Sequence, residues 1–443
     1  MYVIYTVITV LAFLVASPYF LYQAIRYRKY VGSVPQRLGR LPVAFNLDAD
    51  PSIWIHAVSV GEVLTVRALI PGLRERYPHL RIFLSTTTMT GQQVARSHVR
   101  GVDAVFYFPF DLPFIVRRLI GSVRPRLFLM METEIWPNLL RACRQQGVKA
   151  VMVNGRISQR SYPRYRLVKA FIKRVLADVD RFCMQSEESA RRIVDLGAPP
   201  ERVTVTGSLK FDSLDWTASQ GRGRERVLRF FKVPDAHPVV IAASTLRGEE
   251  TAVLHAFRAV RRSRPEALLV IAPRHPERFA EVVELARQEG YRVARRTELV
   301  IDAPLICDVV VLDTIGELAR LYQVATVVFV GGSLVDTGGH NILEPAVFGK
   351  PILFGPHMHN FAEVASAFLA SGAAVEVASA RDLEETLVAL VGDPVRRAAL
   401  GAAARALVEA NRGACQRTLG EIAAVLPPRG DRAGVVTPFR RVT

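Results

Sequence analysis

Cysteine is scarce in this chain. Its four residues in 443, Cys143, Cys183, Cys307 and Cys415, stand far apart and form no CxxC pair. That excludes a disulfide framework and a zinc ribbon, and it makes a reducing compartment the default. Negative charge is also short, with 41 Asp and Glu against 58 Lys and Arg, a net charge of +17. Such an excess speaks to partners rather than to fold: nucleic acid, an anionic membrane surface or a phosphorylated substrate. The chain lacks zinc-finger spacing, an RNP-like aromatic strand and a low-complexity basic tail, so nucleic acid is set aside. Half of the residues are hydrophobic and Gly and Pro are dispersed, a globular composition long enough for two cores.

Charge is wholly absent from Met1 to Ile25, and Arg26, Arg28, Lys29, Arg37 and Arg40 follow. About 20 apolar residues cross a bilayer core, and basic residues after the run put the following chain in the cytoplasm. A cleaved signal peptide would carry its basic residues before the run and small residues after it. Residues 1–25 are therefore expected to be an uncleaved anchor with Tyr22, Tyr27 and Tyr30 near the interface, and residues 26–50 a basic juxtamembrane segment; a buried core helix is the alternative.

The most informative stretch runs from Gly331 to Pro345. An apolar run, Thr326 to Val330, reads as a buried parallel strand; four glycines follow, and Asn341 to Phe348 resumes a helical pattern. Strand, glycine loop and helix start offer N–H groups to an anion, and Glu344 in the first turn can accept from the hydroxyls of a ribose. A purely structural glycine turn is the alternative.

Similar units recur along the chain. Ser52 to Val58 and Arg81 to Ser85 read as strands, each followed by a polar loop and a helix, Val63 to Arg76 and Gln92 to His98. Repeated βα units imply a doubly wound parallel sheet, with ligands at the carboxyl ends of the strands. Ser59-Val60-Gly61-Glu62 lies at such an end, and Glu62 suits a general base if its surroundings are apolar; simple stabilisation of a helix N-terminus is the alternative. The strand Leu127 to Met131 ends in Glu132-Thr133-Glu134, two carboxylates that are costly together unless they bind or titrate. Glu132 comes first off the strand and is placed in the cleft. After the strand Lys149 to Asn154 comes a basic run, Arg156, Arg160, Arg164, Arg166, Lys169, Lys173 and Arg174, interleaved with aromatics. It reads as a surface for anionic lipid or phosphorylated substrate, or else as a solvated helix face. Strands Arg181 to Gln185 and Val203 to Val205 close this domain, residues 51–212, with Lys210 as a point charge for phosphate or carboxylate.

Residues 213–226, polar and glycine-containing, read as a linker to a second α/β domain, residues 227–425, with a tail at 426–443. Its strand Val239 to Ala243 leads into Ser244 to Glu250, an echo of Ser59 to Glu62. Pro273-Arg274-His275 ends the strand Leu268 to Ala272, and Arg274 is the clearest phosphate ligand. His275 has no second ligand at metal spacing. Asp313 to Leu318 follows the strand Val309 to Leu312 and can present backbone groups to a base.

Taken together these motifs resemble the 3-deoxy-D-manno-octulosonic acid (Kdo) transferases of lipopolysaccharide synthesis. The matching residues, Ser59 to Glu62, Glu132 to Asn138, Gly207 to Asp212, Pro273 to His275, Ile315 to Glu317 and Gly331 to Pro345, span Trp54 to about Gly372. The resemblance implies a GT-B glycosyltransferase with two Rossmann-like domains facing a cleft. It implies CMP-Kdo as donor, a lipid A precursor (lipid IVA) as acceptor, and the cytoplasmic face of the bacterial inner membrane as the location. Glu62 would be the base of an inverting reaction, with Glu132 and Lys210 stabilising the transition state. Pro273, Arg274, Ile315, Gly316, Glu317, Asn341, Ile342, Leu343 and Glu344 would bind CMP. No metal and no cofactor is implied, in keeping with the lack of a DxD-type pair. The rivals are a GT-B enzyme using a UDP-sugar and a non-catalytic anionic-lipid-binding membrane protein.

Overall fold

The computed structural model describes residues 1–27, 31–42, 45–159, 161–214, 237–299 and 306–428. Most of the linker expected at 213–226, Arg28, Lys29 and Tyr30 of the juxtamembrane segment, Arg160, and all but the start of the tail lie outside them. The chain forms two compact units, one of residues 1–213 and 412–443, the other of residues 214–411.

The first unit is built on seven parallel strands: β1 (Ser52–His56), β2 (Arg81–Thr86), β3 (Ala104–Tyr107), β4 (Pro125–Met131), β5 (Lys149–Gly155), β6 (Arg181–Met184) and β7 (Val203–Val205), in the order 3-2-1-4-5-6-7. The central strands are nearly continuous apolar runs because helices cover both faces of the sheet. Alternation then divides each strand between two cores. Trp54, Phe83, Phe128, Met130, Met152 and Phe182 pack on one face. Ile53, Ile55, Leu84, Leu127, Leu129 and Val151 pack on the other. The strand order reverses direction between β1 and β4, which pair in register from Ile53 opposite Leu127 to His56 opposite Met130. At such a switch point the flanking loops part, and a ligand crevice opens at the carboxyl edge.

The second unit repeats the plan with β8 (Val239–Thr245), β9 (Leu268–Pro273), β10 (Val293–Arg295), β11 (Val309–Val311), β12 (Val327–Val330), β13 (Ile352–Phe354) and β14 (Val375–Glu376), in the order 10-11-9-8-12-13-14. Its switch point lies between β8 and β12.

Several expectations need correction. The helix expected from Val63 to Arg76 is two helices, Val60–Val66 and Ile70–Arg76, with Pro71 opening the second, where a missing N–H costs nothing. The chain from Arg412 onward belongs to the first unit, not to a domain ending at 425. There the helix Ala414–Val425 buries Leu419 and Ile422 in the first unit's core. Asp212 holds its start by accepting from Gly413 N at 2.9 Å and Cys415 N at 2.6 Å.

The transmembrane anchor is not supported. Tyr2–Tyr27 is a helix of 26 residues, but among the described residues no helix is long and apolar enough to cross a membrane. Its hydroxyl-bearing residues recur at helical spacing and dock onto the first unit. Tyr2 Oη donates to Asp178 at 2.7 Å, Tyr5 Oη to the buried Asp111 at 3.0 Å, and Thr6 bonds with Asn138. Phe13 meets Phe110 with ring centroids 4.8 Å apart. Hydrophobicity counted along the run masks this one-sided polar spacing.

Candidate active site

The helix Val60–Val66 begins just past β1. Ser59 caps it through a reciprocal capping box, its side chain facing the Glu62 N–H while Glu62 reaches back to the Ser59 N–H. Glu62 does more than cap: its carboxylate accepts from Val58 N at 2.9 Å, Ser59 N at 3.3 Å and Ser59 Oγ at 2.9 Å. It is only 8% exposed. Burial, and then the charge of Glu132, push its pKa from an ordinary 4.5 to about 7, against the opposing pull of those hydrogen bonds. Part of the Glu62 population at neutral pH is thus ready to take a proton, as a general base requires.

Glu132 is the first residue after β4, the strand beside β1. Its backbone is left-handed, φ 52°, a conformation that costs a non-glycine residue on the order of 1–2 kcal/mol and tends to mark a functional site when the surrounding fold enforces it. Its N–H is tied to Val153 O at 3.0 Å, and its carboxylate lies 3.9 Å from Lys210 Nζ. The structure thus gathers the sequence-predicted Glu62, Glu132 and Lys210 at one edge of one sheet.

Two residues that complete this edge were not singled out from sequence. Asn154, at the end of β5, is buried and left-handed, φ 56°. Its Oδ1 accepts from Leu209 N at 3.0 Å, and its carbonyl accepts from Gln185 Nε2 at 2.8 Å. Asparagine is tolerated in that conformation, and here it fixes the segment that carries Lys210. A lone Asn at a strand end gives little signal in a single sequence. Glu134 was seen but passed over for Glu132.

In the second unit, Arg274 follows β9 with its N–H on Thr245 O at 3.0 Å and its side chain exposed. Asn341 makes an Asx turn onto Leu343 N at 3.1 Å and donates to Glu344 Oε1 at 3.1 Å. Burial raises the Glu344 pKa, while the Asn341 bond and the nearby Arg274 charge oppose the rise. His340 is held near pKa 4, first by burial and then by the charges of Arg274 and His275. Pro273, Arg274, Asn341 and Glu344 therefore belong to one neighbourhood. Ile342 and Leu343 are buried and offer only backbone groups. Ile315 to Glu317 lie beyond β11. There Gly316 is left-handed, Ile315 is exposed, and Glu317 is engaged by Arg296 and Thr314.

The glycine loop works differently from the expected anion cradle. The N–H groups of Gly332, Ser333 and Leu334 already donate to the carboxylate of Glu249, at 2.7, 3.0 and 3.0 Å. Glu249 is fully buried and also accepts from Leu246 N at 2.9 Å. The anion at this loop is the protein's own, and the following helix, Leu343–Val347, has only five residues. The echo between the two units is real at this level. Glu249 reaches back over its helix start to Leu246 N as Glu62 reaches back to Val58 N. The signal available in sequence was a Ser followed by a helix-start Glu after the first strand of each unit, read as similarity but not as a contact.

A family model described as 3-Deoxy-D-manno-octulosonic-acid transferase (kdotransferase) matches residues 32–213. The 3-deoxy-D-manno-octulosonic acid transferase of Haemophilus influenzae is 37% identical over 83% of this chain and 85% of its own length. That of Bordetella pertussis is 35% identical over 87% of this chain and 90% of its own. Among solved structures, UDP-GlcNAc 2-epimerase from Neisseria meningitidis matches with a TM-score of 0.57 at 12% identity, covering 84% of this chain and all of that one; at this identity the likeness speaks to the two-domain, GT-B-like fold alone.

Proposed function

Because this chain belongs to the Kdo transferase family of glycosyltransferases, we propose that it transfers Kdo from CMP-β-Kdo to a lipid A precursor, lipid IVA, in lipopolysaccharide biosynthesis. The observation that carries the catalytic assignment is Glu62: a buried carboxylate with its pKa near 7 at the switch point of the first sheet, beside Glu132 and Lys210. Glu62 takes the proton of an acceptor hydroxyl, and the hydroxyl oxygen attacks the anomeric carbon of Kdo from the face opposite CMP. The C–O bond to the phosphate breaks with its electron pair going to CMP, and configuration inverts. Glu132 favours the positive charge that develops on the sugar ring, and Lys210 moderates the charge of Glu132. Arg274, Asn341 and Glu344 hold the nucleotide, with Arg274 taking phosphate bidentately and Glu344 the ribose hydroxyls. CMP leaves with one more negative charge, which fixed cations and N–H groups stabilise without a divalent metal.

The same reading gives the amino-terminal helix a membrane role without a span. Val3, Ile4, Val7, Ile8, Leu11, Leu14 and Val15 are all at least half exposed along it, while the hydroxyl-bearing side is docked on the first unit. This face lies in the lipid interface, with Leu167 and Val168 exposed among the basic residues of the Arg156 to Arg174 run, on the cytoplasmic side of the inner membrane. The test of the chemistry is the product's anomeric configuration, read by NMR on lipid made in the presence of EDTA. Inversion is expected. Retention, or a strict need for added metal, would refute the mechanism.

A further inference from the structure

Between β1 and β2 a polar chain runs through the core, and just past β4 a carboxylate that the proposed chemistry does not use lies beside its end. Trp54 Nε1 donates to Ser85 Oγ at 2.8 Å, and Ser85 Oγ lies 3.0 Å from His56 Nδ1. His56 is fully buried and among the described residues its Nε2 has no hydrogen-bond partner; Glu134 Oε2 lies 3.8 Å from it. His56 Nδ1 also lies 3.2 Å from Ser85 O, a carbonyl that can only accept, so Nδ1 carries the proton of the neutral ring and Nε2, turned toward Glu134, is bare. Trp136 Nε1 donates to the same Oε2 at 3.0 Å. Trp136 thus holds one oxygen, and Oε1 has no donor among the described residues. Glu134 is 23% exposed.

The surroundings of this carboxylate are aromatic. The His56 ring stacks on Phe108 with centroids 3.7 Å apart, and Phe108 packs on Trp136 at 4.9 Å. Tyr165 is partly buried on the same core. Its hydroxyl pKa is raised, mainly by burial and secondarily by the charge of Glu134, and that charge also reaches Glu62. An acceptor-only carboxylate with one free oxygen, set among aromatic rings beside the proposed base, matches what a sugar ring offers: hydroxyl donors at its rim and an apolar C–H face.

The geometry points to Glu134 as the residue that recognises the acceptor sugar, its free oxygen accepting from a hydroxyl next to the one Glu62 deprotonates, with Trp136 as the positioning residue that aims it. The assignment rests on the proposed transferase reading and adds to it a subsite for the acceptor.

The test is steady-state kinetics on the full chain in detergent, with lipid IVA and CMP-Kdo varied in turn. Glu134→Gln is expected to raise the KM for the acceptor about ten- to a hundredfold, the loss of one hydrogen bond to a charged group. The KM for CMP-Kdo should hold, and kcat should change less than threefold. Trp136→Phe should raise the acceptor KM by a smaller factor, and the double variant should be no worse than Glu134→Gln alone, since aim is worthless without the carboxylate. An unchanged acceptor KM in Glu134→Gln, a loss confined to kcat, or additive effects in the double variant would overturn the assignment. Should Glu134→Gln fail to fold, as judged by circular dichroism and a lost cooperative unfolding transition, the acceptor KM of Trp136→Phe decides alone. Absence of transfer by the unaltered protein would instead defeat the function on which the assignment rests.

Discussion

Glu62 links catalysis to stability, and the link can be measured through Glu62→Gln. The carboxyl titrates near 7 in the folded protein against an ordinary 4.5. The folded state therefore holds its proton more tightly than the unfolded chain, which fixes the sign. Folding is favoured most below about pH 4.5, where both states are protonated, and that advantage is lost as pH rises through about 7. At about 1.4 kcal/mol per pH unit, the loss amounts to about 3 kcal/mol. Activity runs the opposite way, because the base must be ionised: log kcat/KM should climb with unit slope below about pH 7 and level off above it. Urea unfolding of the unaltered protein and of Glu62→Gln at pH 5 and pH 8.5 isolates the stability term. The difference in unfolding free energy between the two should shift by about 3 kcal/mol in the variant's favour at the higher pH, while transfer by the variant falls by at least a hundredfold at every pH. A pH-independent stability difference, or a rate profile that breaks near 4.5, would refute the reasoning.

Three further outcomes follow. Glu249→Gln replaces a carboxylate that accepts from three loop N–H groups with an amide that must turn a donor toward one of them; CMP affinity by calorimetry should fall at least tenfold, and stability by about 2–4 kcal/mol. Asn154→Gly keeps the left-handed backbone but frees the Lys210 segment, so urea unfolding should show a loss of about 1 kcal/mol, whereas Asn154→Ala adds left-handed strain for a total of about 2–3 kcal/mol. Val7→Glu together with Leu11→Glu, on the exposed side of the amino-terminal helix, should release the protein from anionic vesicles in a flotation assay, while Tyr5→Phe, which loses the hydroxyl bonded to Asp111, should instead lower the melting temperature.

What was legible in the sequence followed from periodicity and punctuation. Buried parallel strands such as β4 and β8 are apolar runs long enough to stand out, and glycine- or proline-marked loops follow them, so the two doubly wound units and the edges that carry Glu62, Glu132 and Arg274 could be placed. Strands β3, β10 and β14 were missed because so few residues establish no period, whereas β7 and β11, equally short, stood out through their valines. The helix Tyr2–Tyr27 misled because its docking rests on tyrosine and threonine hydroxyls, which a count of charges overlooks. Glu249 and the loop N–H groups it holds are 83 residues or more apart in sequence, and only the pairing of β8 with β12 brings them together. Asn154 gives the same lesson on a smaller scale: its role depends on a left-handed backbone and on the return of Leu209, neither of which is written locally.

The most direct measurement is the mass of the lipid product. Purified full chain in detergent would be given lipid IVA and freshly generated CMP-Kdo with EDTA present, side by side with Glu62→Gln. A gain of one or more Kdo units by the unaltered protein, and none by the variant over the same time, is the predicted result. No gain under conditions where an established Kdo transferase works, or an equal gain by Glu62→Gln, would contradict it.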